Sequence, residues 1–357
     1  MSQPFEDLPT TPTSEELVDK AFSRAARAGR AKSGHDASLS MLQTASNIAS
    51  DNLENVVTDW PDFDDLDPFY EELADAVIAS NTTGDDAPDI GGIDAVRQHL
   101  SEIGWAGRKT AEIRDEYQGR IATGDIDTAR KLREQAFARI ADVVEEVEDD
   151  LSAVGAARDD LKTLPDIRPD EPTIVVAGYP NVGKSSFVNA VTNTRNETAS
   201  YPFTTTEIRV GHFEGAALAA DSERATPASH GHIRYQMVDT PGLLDRAPED
   251  RNDVESQAVS ALEHAADAVL VVLDPSGASG YPLDAQRALR DDVVARFDVP
   301  VLSVYNKIDR LDDDERGEFD DADFQMSVET GEQVNAVLAA VIDAVGYEPE
   351  LPIDEDR

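Results

Sequence analysis

A glycine-rich segment at residues 178–185 has the composition and spacing of a phosphate-binding loop. It reads Gly-Tyr-Pro-Asn-Val-Gly-Lys-Ser, which fits the pattern GxxxxGK[ST]. Gly178 and Gly183 allow the backbone to curl so that its N–H groups face phosphate oxygens. Lys184 is expected to reach the β- and γ-phosphates, and Ser185 to coordinate Mg²⁺ through its hydroxyl. The segment predicts a nucleoside triphosphate site but does not select the base.

The neighbouring sequence favours a phosphate loop over the alternative of an ordinary glycine turn. The apolar run Ile174–Ala177 predicts a strand before the loop, and Ser186–Val191 predicts a helix after it. This is the strand–loop–helix context that the pattern requires, and the positive end of the helix dipole favours an anion. The predicted nucleotide contacts include three further residues of the segment: Asn181, Val182 and Ser186.

A second candidate segment, Asp239-Thr240-Pro241-Gly242, follows the apolar run Tyr235–Val238. A carboxylate at the end of a neighbouring strand can hold the metal through its water, and the Gly242 N–H can contact a γ-phosphate. In isolation this pattern is more often an ordinary turn. Its position downstream of the phosphate loop favours a role for Asp239 in Mg²⁺ binding.

Asn306-Lys307-Ile308-Asp309 follows the apolar run Val299–Val304 and selects the base. Guanine presents adjacent N1–H and N2–H₂ donors, which one carboxylate accepts as a bidentate pair, whereas adenine has an acceptor at N1. Asp309 therefore predicts guanine, with Asn306 bracing the loop and the N7 edge of the base and the Lys307 stem covering its face. The backbone of Ser327-Val328-Glu329 is expected to close on the guanine O6.

Three adjacent threonines lie between the phosphate loop and Asp239, in the segment Tyr201–Thr206. One hydroxyl there can bind Mg²⁺ while its N–H contacts the γ-phosphate, so that loss of this phosphate releases the segment. We favour Thr205, with Thr204 second. The alternative is a threonine run that is merely prone to form a strand.

The elements that must position these motifs differ between the two halves of the chain. After Pro165, Pro169 and Pro172, short apolar runs alternate with helical stretches, which predicts a mostly parallel α/β sheet flanked by helices. Before them, apolar residues recur at intervals of three and four, and no segment shows the alternation of a strand. We predict an all-α helical bundle at residues 1–167, a nucleotide-binding domain at 168–347 and an acidic tail at 348–357.

Within the first half, four segments can be distinguished. Residues 69–80 are predicted to be helical, residues 81–92 to form a loop, residues 93–122 to form a helix that is interrupted at Gly124-Asp125, and residues 127–164 to form one long amphipathic stretch. In the second half, the polar residues between Glu214 and Gly231 are predicted to form a surface loop.

The ordered motifs resemble those of translation-factor-related G proteins, and we place them in the Obg/HflX-like branch. Three segments, YPNVGKSSFVNAVT, YPFTTTEIRVGHF and VDTPGLLDRAPEDRNDVESQA, more closely resemble the nucleolar GTP-binding protein (Nog-type) family. The early segments LPTTPTSEELVDKAFSRAARAGRAK and DPFYEELADAV are also similar to that family. This resemblance implies a helical N-terminal domain, GTP binding with slow hydrolysis during large-subunit assembly, and contact with ribosomal RNA.

One departure from the Ras-like pattern concerns hydrolysis. Leu243 follows Gly242, where many GTPases have a glutamine that orients the attacking water, and a leucine cannot hydrogen-bond water. Related G proteins use the asparagine of this loop to coordinate K⁺ in place of an arginine finger, so K⁺ is a second candidate cofactor. The alternative is that Asn181 only braces the loop. We assign the catalytic roles to Lys184, Thr205, Gly242 and Asn181.

A cluster of cations lies near the start of the chain: Lys20, Arg24, Arg27, Arg30 and Lys32. Lys20, Arg24 and Arg27 share one helical face. A solvated face is the usual explanation of such a run, but in an acidic chain an anion-seeking patch fits RNA phosphates. A second and weaker candidate, diluted by acidic neighbours, comprises Arg130, Lys131, Arg133 and Arg139.

Composition limits the environment of the protein. Its 357 residues contain 31 basic and 73 acidic side chains, a net charge of −42, and no cysteine. This charge resembles the proteins of salt-in halophiles, such as haloarchaea, and opposes compaction unless ions screen it. The absence of cysteine excludes disulfides and thiolate metal sites. No apolar run approaches the ~18 residues of a bilayer span, and Met1–Pro4 lacks the start of a secretory signal, so we expect a soluble, cytoplasmic monomer.

The motifs predict a GTPase with Mg²⁺ and GTP or GDP as ligands. The family resemblance implies that it is a slow switch in biogenesis of the large (50S) ribosomal subunit and binds the subunit precursor and its rRNA. Two alternatives stay open at this stage. One is a passive RNA-binding scaffold in which GTP is structural, and the other is a G protein in tRNA modification or stress signalling.

Overall fold

The computed structural model describes residues 3–80, 92–192, 197–200, 207–214, 233–240, 244 and 253–346. Several predicted features lie outside these residues: Thr204, Thr205, Thr206, Gly242, Leu243, most of the 81–92 loop, most of the polar 214–231 loop and the 348–357 tail. The chain divides into two compact units. The first comprises Met1–Gln3, Asp67–Ala76 and Thr163–Arg357, and the second comprises Pro4–Leu66 and Val77–Lys162. The predicted domain boundary at residues 167/168 stays a prediction.

Helices account for the regular structure before residue 163, within the residues described there. Their bounds are α1 Ser14–Arg30, α2 Gly34–Thr58, α3 Pro68–Ser80, α4 Gly92–Thr123, α5 Ile126–Glu146 and α6 Glu148–Leu161. The prediction of a helical first half is thus confirmed. Helix α1 begins at Ser14 because Thr13 and Glu16 cap it. The Thr13 hydroxyl accepts the Glu16 N–H, and the Glu16 carboxylate accepts the Thr13 N–H.

The interruption at Gly124-Asp125 occurs where the sequence predicts it. The Asp125 carboxylate caps α5 by accepting the N–H groups of Asp127 and Thr128 at 3.0 and 2.9 Å. The long stretch predicted from residue 127 to 164 is not continuous, however. It breaks at Val147, whose φ of −104° and ψ of 22° depart from helical values. No proline or glycine marks this break, so the sequence pattern could not reveal it.

Seven strands among the described residues form one sheet in the order β2-β3-β4-β1-β5-β6-β7. Their bounds are β1 Thr173–Ala177, β2 Glu197–Ser200, β3 Glu207–Glu214, β4 Arg234–Asp239, β5 Ala268–Leu273, β6 Val301–Tyr305 and β7 Phe324–Gln325. The five strands from β4 to β7 in this order run parallel, whereas β2 pairs with β3 and β3 with β4 in antiparallel fashion. A strand at His212, within β3, is expected from the sequence, whereas β2 is not.

Helices flank the sheet, as predicted. Their bounds are α7 Lys184–Val191, α8 Asp253–Ala265, α9 Leu283–Arg296, α10 Asp313–Arg316 and α11 Val334–Val345. Apolar residues of α7 and α11, such as Phe187 and Val341, pack with Ile174 and Leu270 of the central strands in one core. Every residue of β1 and β5 is buried. Because parallel strands end at one edge, the loops after β1, β4 and β6 meet there.

Candidate nucleotide-binding site

The loop between β1 and α7 has a backbone that only glycine permits at two positions. Gly178 has a φ of +136°, and a Cβ there would lie 2.3 Å from the Val272 carbonyl oxygen. Gly183 has a φ of +111°, and its Cβ would lie 2.2 Å from the Asn306 amide nitrogen. Both positions combine a left-handed backbone with close approach of another chain segment. The two glycines therefore let the loop lie directly against β5 and against the residues after β6.

Lys184 is buried at the first position of α7. Its ammonium donates to the carbonyl oxygens of Gly178 at 2.5 Å and Tyr179 at 3.0 Å. These contacts hold the positive charge within the curve of the loop. The helix N-terminus directs its own partial positive charge to the same place. The loop is thus electropositive in a strongly acidic protein, which suits phosphate.

Asp239 reaches the phosphate loop through the pairing of β4 with β1. The register places Asp239 opposite Val176, two residues before the loop begins, and the carboxylate is fully buried. The Thr240 hydroxyl donates to the Val176 carbonyl at 3.0 Å, and the Gly178 N–H donates to the Leu244 carbonyl at 2.9 Å. The segment that holds Asp239 is therefore tied to the loop on both sides. A carboxylate and the Ser185 hydroxyl are oxygen donors suited to Mg²⁺.

Asn306 joins three loops. Its side chain is buried, its Nδ2 donates to the Val182 carbonyl at 2.9 Å, and its Oδ1 accepts the Val328 N–H at 3.1 Å. Its own N–H donates to the Leu273 carbonyl at 2.8 Å. This amide thus connects the phosphate loop with the loop after β7. The Asn306 side chain thus uses its amide donor on one backbone group and its carbonyl acceptor on another. The arrangement therefore depends on an asparagine.

Asp309 lies in a short 3-10 turn, Ile308–Arg310, immediately after Lys307. The Ser327 hydroxyl donates to its Oδ1 at 2.5 Å, and the same hydroxyl accepts the Thr330 N–H at 3.2 Å. This pair fixes the carboxylate relative to the loop after β7. A carboxylate held in one orientation can accept two parallel donors, which is the requirement for guanine.

The predicted phosphate and base residues line one cavity of about 540 Å³. This volume lies within the range of small-molecule sites. Nine of the predicted nucleotide contacts line the cavity, namely Asn181, Gly183, Lys184, Ser185, Ser186, Asn306, Lys307, Asp309 and Val328, whereas Gly178, Val182 and Ser327 do not. Sequence reasoning missed three lining residues, Pro180, Arg310 and Glu329, of which Glu329 lay in a segment considered only for its backbone.

A separate feature is the basic face of α1. Lys20, Arg24, Arg27 and Arg30 are all exposed, as is Lys32 beyond the helix end. Within the described part of the chain none of the five forms an ion pair, although the Lys20 ammonium donates to Asn52 Oδ1 at 2.7 Å. By contrast, three arginines of the second candidate cluster pair with acidic neighbours: Arg130 with Asp127, Arg133 with Glu134 and Arg139 with Glu116.

None of the helices that the structure describes is both long and apolar enough to cross a bilayer. In those same residues, no group of three or more histidine, aspartate or glutamate side chains is arranged to hold a metal. Mg²⁺ usually binds one or two protein oxygens together with phosphate oxygens and water, and Ser185 and Asp239 suit that mode.

Two family models match the chain in succession. Residues 5–168 match the NOG1 N-terminal helical domain, and residues 173–307 match a model described as a 50S ribosome-binding GTPase. An uncharacterized protein of Methanocaldococcus jannaschii is 31% identical, covering 88% of this chain and 83% of its own. Nucleolar GTP-binding protein 1 of Drosophila melanogaster is 30% identical over 73% of this chain.

The chain spans only 36% of the length of the fly protein. Among solved structures, a nucleolar GTP-binding protein 1 of Plasmodium falciparum is 30% identical, covering 51% of this chain and 90% of that one, with a TM-score of 0.41. The matches do not support the predicted placement in the Obg/HflX-like branch, since an Obg-type domain is a different branch. Because its helical domain, its GTPase domain and its relatives all match this family, the chain belongs to the Nog1 family of GTP-binding proteins.

Proposed function

We propose that this protein hydrolyses GTP slowly as a switch in assembly of the large ribosomal subunit. The observation that carries the proposal is the joining of the phosphate loop and the guanine motif in one cavity through the Asn306 side chain. The description of the matching GTPase model and the name of the nucleolar relatives support the ribosomal part. We also propose that the protein is monomeric and cytoplasmic.

In the proposed cycle, this chain's own residues do most of the positioning. Lys184 and the loop N–H groups bind the phosphates, and Asp309 orients the base. Ser185, Asp239 and Thr205 would hold Mg²⁺, which when bound neutralises charge on the β- and γ-phosphates. With GTP, contacts of Thr205 and Gly242 to the γ-phosphate would favour the particle-bound state. Loss of the γ-phosphate removes those contacts and releases the protein.

Hydrolysis is expected to need help. Leu243 cannot orient a water, so single-turnover GTP hydrolysis should be slow for the protein alone and rise at least about 10-fold with large-subunit precursor particles. A passive scaffold, which Leu243 also favours, predicts no stimulation. A G protein of tRNA modification or stress signalling predicts no enrichment with 50S particles on sedimentation.

The same assay tests K⁺ as a cofactor. Asn181 of the phosphate loop is exposed, has a φ of +62° and lines the cavity. A K⁺ ion held there would add positive charge beside the phosphates. The expected result is faster hydrolysis in KCl than in NaCl at matched ionic strength, and equal rates would contradict this role for Asn181.

RNA binding is proposed for the basic face of α1. Replacing Lys20, Arg24 and Arg27 together with glutamine is expected to weaken binding to rRNA from the large subunit. The slope of log affinity against log salt should fall by about 2, since each lost phosphate contact removes about 0.7 to 0.9. Glutamine retains helix propensity, so α1 should persist.

A matched control removes the same charge from cations that are already ion-paired. Arg97, Lys109 and Arg120 pair with Asp94, Glu112 and Glu116. Their triple replacement with glutamine should leave the salt slope unchanged. If both triple variants change the slope equally, the effect is one of net charge and α1 is not the RNA-binding surface.

A further inference from the structure

Asp274 belongs to none of the motifs above, yet the sheet places it between them. It directly follows β5, and β5 lies between β1 and β6 in the strand order. The phosphate loop follows β1 and the guanine motif follows β6. A residue at the end of β5 therefore lies between the two halves of the cavity, at the edge where all three strands end.

The Asp274 carboxylate is fully buried and accepts four hydrogen bonds. The donors are the Ser276 N–H at 2.9 Å, the Ser276 hydroxyl at 2.6 Å, the Ser279 N–H at 2.7 Å and the Lys307 ammonium at 2.8 Å. Burial acts to raise the pKa of Asp274, but the bonds from Lys307 and Ser276 outweigh it and lower the pKa. The group is therefore a fixed negative charge.

Lys307 connects the Asp274 carboxylate to the phosphate loop. Its ammonium also donates to the Asn181 carbonyl oxygen at 2.5 Å. Asn181 and Lys307 have φ values of +62° and +64°, the left-handed region that non-glycine residues seldom adopt. The ammonium thus joins the buried Asp274 carboxylate to a left-handed backbone position of the phosphate loop. Lys307 itself lines the cavity.

Gln286 of α9 supports Asp274 from behind. Its buried side chain accepts the Asp274 N–H at 2.7 Å and donates to the carbonyl oxygens of Asp274 at 3.2 Å and Tyr281 at 3.0 Å. The loop that carries Asp274 is therefore anchored to a helix rather than held by its own turns alone. This gives the carboxylate a fixed place relative to Lys307.

We propose that Asp274 is a positioning residue for the guanine nucleotide, holding Lys307 against Asn181 so that the base site and the phosphate loop form one rigid cavity. This inference rests on the proposed guanine-nucleotide site. Without the carboxylate, the Lys307 ammonium loses its charged partner, and its flexible stem can turn to solvent. The base then loses its cover, and the Asn181 carbonyl loses its donor.

The test is the affinity of the full-length Asp274→Asn variant for GTP and GDP, measured by calorimetry. Both affinities are expected to fall about 10- to 100-fold, as for loss of a hydrogen bond to a charged group. The ratio of the two should stay constant, because Lys307 acts at the base and not at the γ-phosphate. Asp267→Asn is the matched control, since Asp267 precedes the same strand, accepts the Thr173 N–H at 2.7 Å and should leave both affinities unchanged.

A double-mutant cycle separates positioning from general destabilisation. If Asp274 acts through Lys307, adding Asp274→Asn to Lys307→Ala should cause no further loss of affinity. Losses that multiply would overturn the proposal. If Asp274→Asn does not fold, Gln286→Ala takes its place in the cycle, because it keeps the Asp274 carboxylate. This variant should weaken GTP and GDP binding about 3- to 10-fold, and only when Lys307 is present.

The outcomes distinguish this proposal from the function on which it rests. If the wild-type chain does not bind GTP or GDP, the proposed function fails and this inference with it. If the wild type binds and Asp274→Asn binds equally well, only the role of Asp274 is wrong.

Discussion

Replacing Asp309 with asparagine is expected to change the base preference of the cavity from guanine to xanthine. The carboxylate accepts the N1–H and N2–H₂ donors of guanine, whereas an asparagine amide would direct a donor at one of them. Xanthine has an oxygen in place of the 2-amino group, so the amide can accept its N1–H and donate to that oxygen. Loss of the two hydrogen bonds to the charged carboxylate should weaken GTP binding by about 3 kcal/mol, or roughly 100-fold.

The measurement is calorimetric titration of each variant with GTP, XTP and ATP. Asp314→Asn removes the same charge from an exposed position on α10 and should leave the preference for GTP intact. Removing the Ser327 hydroxyl, which donates to Asp309 Oδ1 at 2.5 Å, should change the base preference less, since the Asp309 carboxylate remains. If Asp309→Asn retains its preference for GTP over XTP, the base does not lie where this geometry places it.

Replacing Lys184 with alanine is expected to abolish the nucleotide dependence of the switch. The lysine is the buried cation of the phosphate loop, and its ammonium lies within hydrogen-bonding distance of two loop carbonyls. Charge-assisted bonds to phosphate are about twice as strong as neutral ones. Their loss should weaken GTP binding roughly 100-fold or more. Association with large-subunit particles should then be the same with GTP, with GDP and without nucleotide.

Co-sedimentation with precursor particles under those three conditions checks this result. Ser185→Ala should show the same loss of nucleotide-dependent association, because it removes the hydroxyl that would bind Mg²⁺. The same result from both variants would assign the loss to phosphate binding and not to the fold of α7. Lys109→Ala, at an exposed cation paired with Glu112, is the control and should behave as wild type. Unchanged nucleotide-dependent association in Lys184→Ala would refute the switch, as would wild-type association that is equal in all three conditions.

Much of the fold followed from local sequence because its signals are local. The apolar run before Gly178 and the turn residues at Gly124-Asp125 each specify a backbone over a few residues. The break at Val147 lacks such a signal, and so does the antiparallel strand β2. In both cases the backbone is determined by which neighbours it packs against, and the pattern of one segment does not contain that information.

The grouping of Asp67–Ala76 with the sheet-containing unit is a tertiary result of the same kind. The sequence of α3 predicts a helix, and Pro68–Ser80 is one. Amphipathic periodicity shows that a helix has a buried face but does not identify the surface that covers it. Tyr70 illustrates this, because its hydroxyl donates to the carbonyls of Pro165 and Ile167, almost a hundred residues away.

The sequence by itself predicted the chemistry of the site: which residue types would bind phosphate, which carboxylate would accept guanine, and which order of motifs places them on an α/β sheet. Those properties reside in side chains and in the glycine backbone, so they can be read one segment at a time. Only the tertiary structure decided how the segments are held together. The Asn306 amide, the Lys307 ammonium and the Asp274 carboxylate meet residues that are distant in sequence, because the parallel strands that precede them end at one edge.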